Sequence, residues 1–397
     1  MAKNTHLEHL EDDIFNNGYR GATNALEFLT SLRDMLTTGR GGSNTKVTVK
    51  WDGAPAIFCG KDPQTGRFFV GTKSVFAKTE SKACFSLEQI DYYYDGHPIK
   101  NKLKQCFTIL KNLPIKGVLQ GDLLYVDTPP LVTMGGKKCY KFRPNTITYC
   151  VEAATELGKK VAKSKMGIVF HTHYTGASLP EMNAGFGVDV SDLQGVKDVA
   201  VFSATFENIG GKANLSNSER TKLNNTLTVA KRNLDQSRKF LDAIGGTNKT
   251  FDYAIMFKIY FNAVIKSGKI PSSAQEMHRG YVRFVEDRYK VEIAKKKTEK
   301  SQKDWEKKKE ESIKFLNSNK STIYSALSGF KNLMTAKEQI IAKLKTIEGV
   351  GTFLEDENGY RVTSPEGFVA IKDGTAMKLV DRLEFSRANF TVAKDWG

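Results

Sequence analysis

The chain has 397 residues, a formal net charge of +16 and a sequence pI near 9.4. This excess of lysine and arginine fits a polyanionic partner, because such side chains neutralise phosphates and release counterions, although a basic structural protein would have the same balance. The five cysteines lack C-x-x-C spacing, which indicates neither a disulfide framework nor a zinc site and favours a reduced, cytoplasmic setting. No apolar run reaches transmembrane length and the start is polar, so we expect a soluble protein without a signal peptide or a membrane partner.

The spacing of apolar residues divides the chain into four predicted regions. Residues 1–42 are expected to form N-terminal helices that end in a glycine-rich linker. Short strands dominate residues 43–206, residues 207–348 are predicted to be helical and are rich in lysine, and residues 349–397 return to strands. The helical region is therefore predicted to be a large insertion that splits an α+β domain in sequence.

Capping patterns mark helix boundaries within this helical region. Ser216 with Glu219 and Ser273 with Glu276 have the spacing of capping boxes, which predicts a helix start at each. Gly268 has the position of a C-terminal cap and predicts a helix end.

Lys50 ends an apolar alternating run and is followed, after Trp51, by an Asp52-Gly53 turn. A lysine at a strand end points its amine into the cleft beside the following turn, and glycine there lets the backbone approach a phosphate. Nearby cations or desolvation must lower the pKa of a lysine before its amine can attack. Lys50 is therefore a candidate nucleophile, and the alternative is a solvated lysine at a strand end.

Five further segments follow the KWDG segment in the chain: FVGTKS at 69–74, VLQGDLLYV at 118–126, GIVFHTHY at 167–174, PEGFVAI at 365–371 and AMKLVDR at 376–382. In this order they resemble the motifs of the covalent nucleotidyltransferase superfamily, which contains ATP-dependent RNA and DNA ligases and mRNA capping enzymes. The resemblance includes ligase-like proteins of bacteriophages, which would act in the host cytoplasm. It implies an antiparallel-sheet nucleotidyltransferase core, ATP-grasp-like as in ligases, with no C-terminal OB domain because few residues follow Lys378.

The resemblance also implies a role for each matched position. Lys50 would be the catalytic nucleophile. The residues expected to bind the nucleotide are Asp52, Gly53, Lys73, Asp122, Phe170, His171, Glu366 and Lys378. Either Phe170 or His171 would lie near the adenine, and strand parity decides which.

The implied metal is Mg²⁺, held near Asp122 and Glu366, while Lys378 would contact the α-phosphate of ATP. Three positions depart from the family pattern. Lys73 stands where arginine is usual, Asp122 where glutamate is usual, and Lys378 is one lysine where the last motif usually has two. The missing second lysine gives weight to a protein that has kept the fold without turnover.

The implied reaction begins with attack of Lys50 on the α-phosphate of ATP, which would form a lysyl-AMP intermediate and release pyrophosphate. AMP would pass to a nucleic-acid 5′-phosphate, and a 3′-hydroxyl would displace it and seal the ends. Without an OB domain, an RNA-ligase-like enzyme is expected more than a DNA ligase. The alternatives are an adenylyl- or guanylyltransferase with another acceptor, and a non-catalytic basic protein that binds nucleic acid or has a structural role.

A β-hairpin is predicted around residues 372–374. A three-residue loop would pair Lys378 with Phe368 and place it on the same face as Glu366, whereas a two-residue loop would pair Lys378 with Val369. The functional interpretation predicts the three-residue loop.

Residues 290–314 have sparse apolar positions and mixed charge, which predicts a long solvated helix. The alternative is a nucleic-acid surface, in which an aromatic ring stacks on bases and lysines contact phosphates. The residues of that candidate surface are Lys303, Trp305, Lys307 and Lys308.

Overall fold

The computed structural model describes residues 8–38, 45–134, 136–204, 214–244, 252–344, 351–356, 359–363, 367–372 and 375–383. These residues form helices together with antiparallel and mixed sheets, which confirms the predicted α+β class. None of the described helices combines the length and the apolar character that crossing a bilayer requires.

The described strands lie before and after the helical region. They are β1 (Thr45–Lys50), β2 (Ala56–Lys61), β3 (Phe68–Gly71), β4 (Val118–Tyr125), β5 (Leu131–Met134), β6 (Lys137–Phe142), β7 (Thr148–Glu152), β8 (Met166–Thr175), β9 (Asn183–Phe186), β10 (Val199–Phe202), β11 (Gly351–Asp356), β12 (Gly359–Thr363), β13 (Gly367–Lys372) and β14 (Thr375–Leu379).

These strands form three sheets. Sheet 1 has the order β1-β13-β14 and is antiparallel; sheet 2 has the order β10-β8-β4-β2-β3, with β9 paired to β8; sheet 3 has the order β12-β11-β7-β6-β5. Strand β13 pairs with β1 and β11 pairs with β7. The strands after the helical region therefore return to the strands that precede it.

Apart from two helices that precede β1, the described helices belong to two groups. They are α1 (Asp13–Asn16), α2 (Gly18–Thr38), α3 (Leu87–Tyr93), α4 (Lys100–Leu110), α5 (Glu156–Val161), α6 (Asn217–Gln236), α7 (Arg238–Ile244), α8 (Tyr253–Ser267), α9 (Ala274–Ala294), α10 (Glu299–Ser318) and α11 (Lys320–Leu344). Helices α3 to α5 lie between strands, and α6 to α11 follow one another through the helical region.

Of the two predicted capping boxes, the structure has one in full. At the start of α6, Glu219 N donates to Ser216 Oγ (3.2 Å) and Ser216 N donates to Glu219 Oε2 (2.7 Å). At the start of α9, Ser273 Oγ accepts from the backbone of Glu276, but the Glu276 carboxylate accepts from Ser272 instead of Ser273. Both helices begin where the patterns predict, because one side-chain cap is enough to satisfy an end amide.

The N-terminal helices and the helical region share one hydrophobic core. Phe15 of α1 packs against Phe257 of α8, with ring centroids 4.3 Å apart, and against Phe330 of α11 at 5.6 Å. One face of sheet 1 closes the same core, through Val47, Phe368, Met377 and Leu379. Because the helical core covers this face, side chains that meet a ligand are expected on the opposite face of sheet 1.

A second core lies between sheets 2 and 3. Tyr149 and Phe142 come from sheet 3, Val169 and Phe202 come from sheet 2, and Trp51 from the KWDG turn packs among them. The ring of Trp51 lies 5.0 Å from Tyr149 and meets Phe202 edge-on at 5.1 Å. This aromatic packing fixes the turn that follows β1.

A buried network of ion pairs joins the N-terminal segment to α11 and to the residues after β14. Lys337 Nζ lies 2.8 Å from both carboxylate oxygens of Glu11, and Arg382 Nη1 lies 2.8 Å from Asp12 Oδ1 and 3.5 Å from Glu11 Oε1. Arg382 also donates to Asn262 at 2.7 Å. Burial alone would raise the pKa of Glu11, but the charges of Lys337 and Arg382 lower it overall. Buried charges that are paired in this way fix the relative position of three chain segments.

Lys337→Met should lower the free energy of unfolding by about 3–5 kcal/mol, because the buried Glu11 carboxylate loses its closest partner. The matched control is Lys343→Met on the same helix, where the more exposed pair with Glu219 should contribute less than about 1 kcal/mol. Urea denaturation measures both. The double variant Glu11→Gln/Lys337→Met should recover much of the loss, and an unchanged single variant would contradict the role of the pair.

The lowered pKa of Glu11 also sets a pH dependence. Since its folded pKa lies below its ordinary value, ionised Glu11 stabilises the fold above that ordinary value. The contribution is lost as pH falls through the folded pKa. The wild type should therefore lose more stability on acidification than Lys337→Met does.

Candidate functional site

Lys50 is the last residue of β1 and lies opposite Gly367, the first residue of β13. Gly367 has φ +150°, and a Cβ there would come within 2.6 Å of the Leu379 carbonyl oxygen and 2.7 Å of Val380 Cγ2. Only glycine fits this position, which allows β13 to begin close to the end of β14. The half-buried side chain of Lys50 thus stands beside a strand start that carries no side chain.

Asp52 is buried and its carboxylate is occupied by hydrogen bonds. Asn145 Nδ2 donates to Oδ1 at 2.7 Å, and the backbone amides of Thr146 and Ile147 donate to Oδ2 at 2.6 and 2.9 Å. The Asp52 amide donates to the hydroxyl of Tyr149 at 2.7 Å. The carboxylate therefore anchors the turn to the segment that precedes β7 of sheet 3, which is a positioning role for Asp52.

Gly53 packs directly against β4. A Cβ on Gly53 would lie 2.6 Å from Asp122 Cβ, so a larger residue would push the turn away from the strand. Ala54 N donates to the Leu123 carbonyl at 2.9 Å, and Leu123 N donates to the Pro55 carbonyl at 3.1 Å. The segment after Lys50 is thereby held next to Asp122.

Strand β8 has a bulge opposite β4. Gln120 lies opposite Thr172 while the next residue, Gly121, lies opposite Phe170, so β8 has one extra residue, His171, between the two pairs. Bulges re-aim side chains, and they are frequent beside active sites. Here the bulge brings His171 and Thr172 to the same side, where His171 Nδ1 is 2.8 Å from Thr172 Oγ1.

The bulge places the two residues predicted to lie near adenine on opposite sides of sheet 2. His171 Nε2 lies 3.4 Å from Asp122 Oδ2, on the side of sheet 2 where Gly53 packs. Phe170 is fully buried in the core on the opposite side, among residues such as Leu103 and Cys106 of α4. Of the two, only His171 shares a face with Asp122.

The hairpin register differs from the prediction. Lys372 lies opposite Thr375 and Lys378 lies opposite Val369, as in a two-residue loop, so the predicted three-residue loop is wrong. The three-residue loop is the basis for expecting Glu366 and Lys378 to act together, and Glu366 itself lies outside the described residues.

Burial explains the observed register. Phe368, Met377 and Leu379 all enter the core beneath sheet 1, and a three-residue loop would have turned Lys378 towards that core. In the observed register Lys378 instead shares a face with Lys50, because residues two apart on a strand point to the same side. The structure therefore brings these two lysines to one face of sheet 1.

His9 also joins this part of the structure, although sequence reasoning did not select it. It lies opposite Lys378 in a parallel bridge, and Lys378 N donates to the Glu8 carbonyl at 3.0 Å. The Nδ1 atom of His9 is buried and has no hydrogen-bond partner in the described chain. No local pattern could have indicated His9, because its place depends on pairing with a strand from the other end of the chain.

Positive charge surrounds the His9 ring. Burial lowers the pKa of His9 well below its ordinary value, and Arg382, Lys337, Lys378 and Lys50 lower it further. Both causes favour the uncharged form of the imidazole.

The remaining predicted ligands are Lys73 and the metal pair of Asp122 and Glu366. Lys73 begins a 3₁₀ turn after β3 and is exposed. Of the predicted metal pair, Asp122 has His171 as its neighbour, and Glu366 lies outside the described residues. Within the described ranges, no group of three or more His, Cys, Asp or Glu side chains could hold a metal ion.

Two lysines of the candidate surface on α10 are paired with glutamates on the same helix. Lys303 lies 2.6 Å from Glu299, and Lys307 lies 4.0 Å from Glu311. Such exposed pairs reduce the positive charge that the helix can offer to phosphates.

Trp305 is packed against its neighbours. Lys296 Nζ lies 4.4 Å and Lys308 Nζ 5.0 Å from the centroid of its ring, and Tyr289 contacts the ring at 6.0 Å. The ring is also partly buried against the helical core. The alternative prediction is that Trp305 stacks on a nucleic-acid base, and such stacking would break these contacts.

Asp52→Asn should destabilise the protein by about 1–3 kcal/mol, because an amide cannot accept all three hydrogen bonds and leaves a buried donor unpaired. Asn145→Ala is the matched control: it removes one donor and leaves the two backbone bonds to the carboxylate, so a smaller loss of about 1 kcal/mol is expected. Chemical denaturation gives both values. Equal stability of Asp52→Asn and wild type would show that the anchor is unimportant.

Comparison with known proteins places nearly the whole chain in one family. A family of unknown function, DUF6267, matches residues 4–394. No curated protein and no solved structure matches the chain. The match extends from the N-terminal helices to the residues beyond β14, and the chain therefore belongs to the DUF6267 family.

Proposed function

We propose that this protein is an ATP-dependent nucleotidyltransferase that acts as an RNA-ligase-like polynucleotide ligase. One observation carries the proposal: Lys50 and Lys378 share a face of sheet 1, while the turn after Lys50 is held beside Asp122. A nucleophilic amine, a second cation and a carboxylate are the groups that covalent transfer of an adenylyl group requires.

In the proposed first step, the unprotonated Nζ of Lys50 attacks the α-phosphorus of ATP. An N–P bond forms while the bond from the α-phosphorus to the α,β-bridging oxygen breaks, and pyrophosphate leaves with that electron pair. The attacking nitrogen loses a proton to solvent, which gives a lysyl-AMP phosphoramide. A 5′-phosphate oxygen of the acceptor then displaces Lys50, and a 3′-hydroxyl finally displaces AMP.

The described side chains support the charge changes in this step. Lys378 would stabilise negative charge on the α-phosphoryl oxygens, because it lies on the same face as the nucleophile. His171 lies within 3.4 Å of Asp122 and would orient its carboxylate. One carboxylate together with substrate phosphates and waters is an ordinary ligand set for Mg²⁺, so Asp122 fits an ion that enters with ATP. When bound, that ion would neutralise charge on the phosphates.

The proposed acceptor is nucleic acid, RNA more than DNA. The support is the net charge of +16, which favours a polyanion through counterion release. Because Trp305 is packed by lysine side chains, base stacking on α10 is not part of this proposal.

Incubation with ATP and Mg²⁺ should add the mass of one AMP moiety to the wild type and none to Lys50→Arg, which keeps the charge but removes the nucleophile. The adduct should be labile in acid and stable in base, as expected for an N–P bond. Intact-mass spectrometry is the measurement, and Lys61→Ala, at the exposed end of β2, is a matched control that should still form the adduct.

Three other results would redirect the proposal. A gain of one GMP moiety from GTP would favour a guanylyltransferase. ATP binding without an adduct would indicate a non-catalytic binding protein. An adduct that also forms on Lys50→Arg would overturn the assignment of Lys50.

Lys378→Met should slow adduct formation about 100-fold, since one preorganised donor to a developing negative charge contributes roughly that factor. Lys378→Arg keeps the charge and should retain a larger part of the rate. Single-turnover kinetics with ATP measure the effect. A rate within twofold of wild type for Lys378→Met would show that Lys378 does not contact the reacting phosphate.

A further inference from the structure

His9 is a half-buried titratable residue with no role in the reaction described above. Its Nδ1 is shielded from solvent and is not hydrogen-bonded to any described residue. A buried polar atom without a partner costs free energy, so its retention requires an explanation.

The backbone fixes where the ring of His9 lies. Glu8 and His9 add a short parallel segment to the edge of β14 that faces away from β13, and His9 stands directly opposite Lys378. Directly opposite residues project to the same face of a sheet, which is the face that also carries Lys50. His9 is therefore adjacent to the proposed phosphate-binding lysine, on the side where a nucleotide would bind.

Charged groups from several elements lower the pKa of the His9 ring. Sheet 1 contributes Lys378 and Lys50, α11 contributes Lys337, and the segment after β14 contributes Arg382. The last two are paired with Glu11 and Asp12, which directly follow in the N-terminal segment. A neutral ring can accept a hydrogen bond from a cation, whereas a protonated ring would add a like charge.

We propose that His9 is a positioning residue of the nucleotide site, whose unprotonated Nδ1 accepts a hydrogen bond from the ammonium group of Lys378 when ATP occupies the site. This inference rests on the proposed function, because it assigns Lys378 to the phosphates of a bound nucleotide. Lys378 is the partner, as it stands opposite His9, while Lys50 lies two strands farther across the sheet.

The first test compares His9→Asn with His9→Leu. Asparagine places a neutral polar atom near the position of Nδ1, whereas leucine fills the buried space without one. His9→Leu should slow adduct formation at saturating ATP about tenfold or more, with KM for ATP changed less than about threefold, because a charge-assisted hydrogen bond is lost. His9→Asn should recover most of the rate. If the side chain served only to fill space, leucine would be the better replacement, and that result would overturn the proposal.

The second test does not depend on turnover. In ¹⁵N-histidine-labelled Lys50→Arg protein, the His9 signals among the six histidines are identified by their loss in His9→Asn. Addition of ATP with Mg²⁺ should shift the Nδ1 resonance of His9, and the same addition to the Lys378→Met/Lys50→Arg variant should not. An Nδ1 resonance that ATP leaves unchanged overturns the role of His9.

The two tests separate the two proposals. A wild type that forms no adduct but shows the ATP-dependent shift would overturn adenylyl transfer and retain His9 as a residue of the nucleotide site. An adduct with an unchanged resonance and a normal rate for His9→Leu would retain the transferase and overturn the role of His9. Neither adduct nor shift would overturn both.

Discussion

The antiparallel pairing of β1 with β13 is the constraint on which the rest of the site depends. It places Lys50 opposite Gly367 and, through β14, puts Lys378 on the same face. The opposite face lies on the helical core, so a register slip of one residue would exchange buried apolar side chains for lysines. Hydrophobic burial on one side of this small sheet therefore determines which polar groups meet on the other side.

That pairing requires the helical region to bring β13 back beside β1. Helices α6 to α11 share a core with α1 and α2, so the distance between the two halves of sheet 1 is set by packing. The ion pairs of Glu11 and Asp12 with Lys337 and Arg382 add specificity at the same junction, since buried charges tolerate few alternative arrangements. A change in α11 would thus alter the positions of His9 and Lys378, although α11 itself would not contact a nucleotide.

Much of the fold follows from local sequence, and part of the site does not. The α+β class, the start of α6 at Ser216 and the strand that ends at Lys50 follow from periodicity and capping. The hairpin register does not follow, because turn preferences allow both loops and the decision lies with the core under Phe368 and Leu379. The charge pattern of α10 predicts a solvated helix with a nucleic-acid surface as the alternative. The packing of Trp305 does not follow from that pattern, because it depends on contacts with residues outside the helix, such as Lys296.

Long-range pairing also changes how the last motif is interpreted. In the nucleotidyltransferase pattern on which the proposed function rests, two lysines stand in that motif. Lys378 is the one lysine of AMKLVDR, and Ala376, two residues before it on the same face, is apolar. A second polar group beside Lys378 comes instead from His9 on the neighbouring segment. Because a neutral imidazole adds a hydrogen-bond acceptor without adding charge, it can orient a lysine at lower electrostatic cost than a second ammonium would. The departure from the pattern is therefore compatible with a working site, provided that the N-terminal segment stays paired with β14.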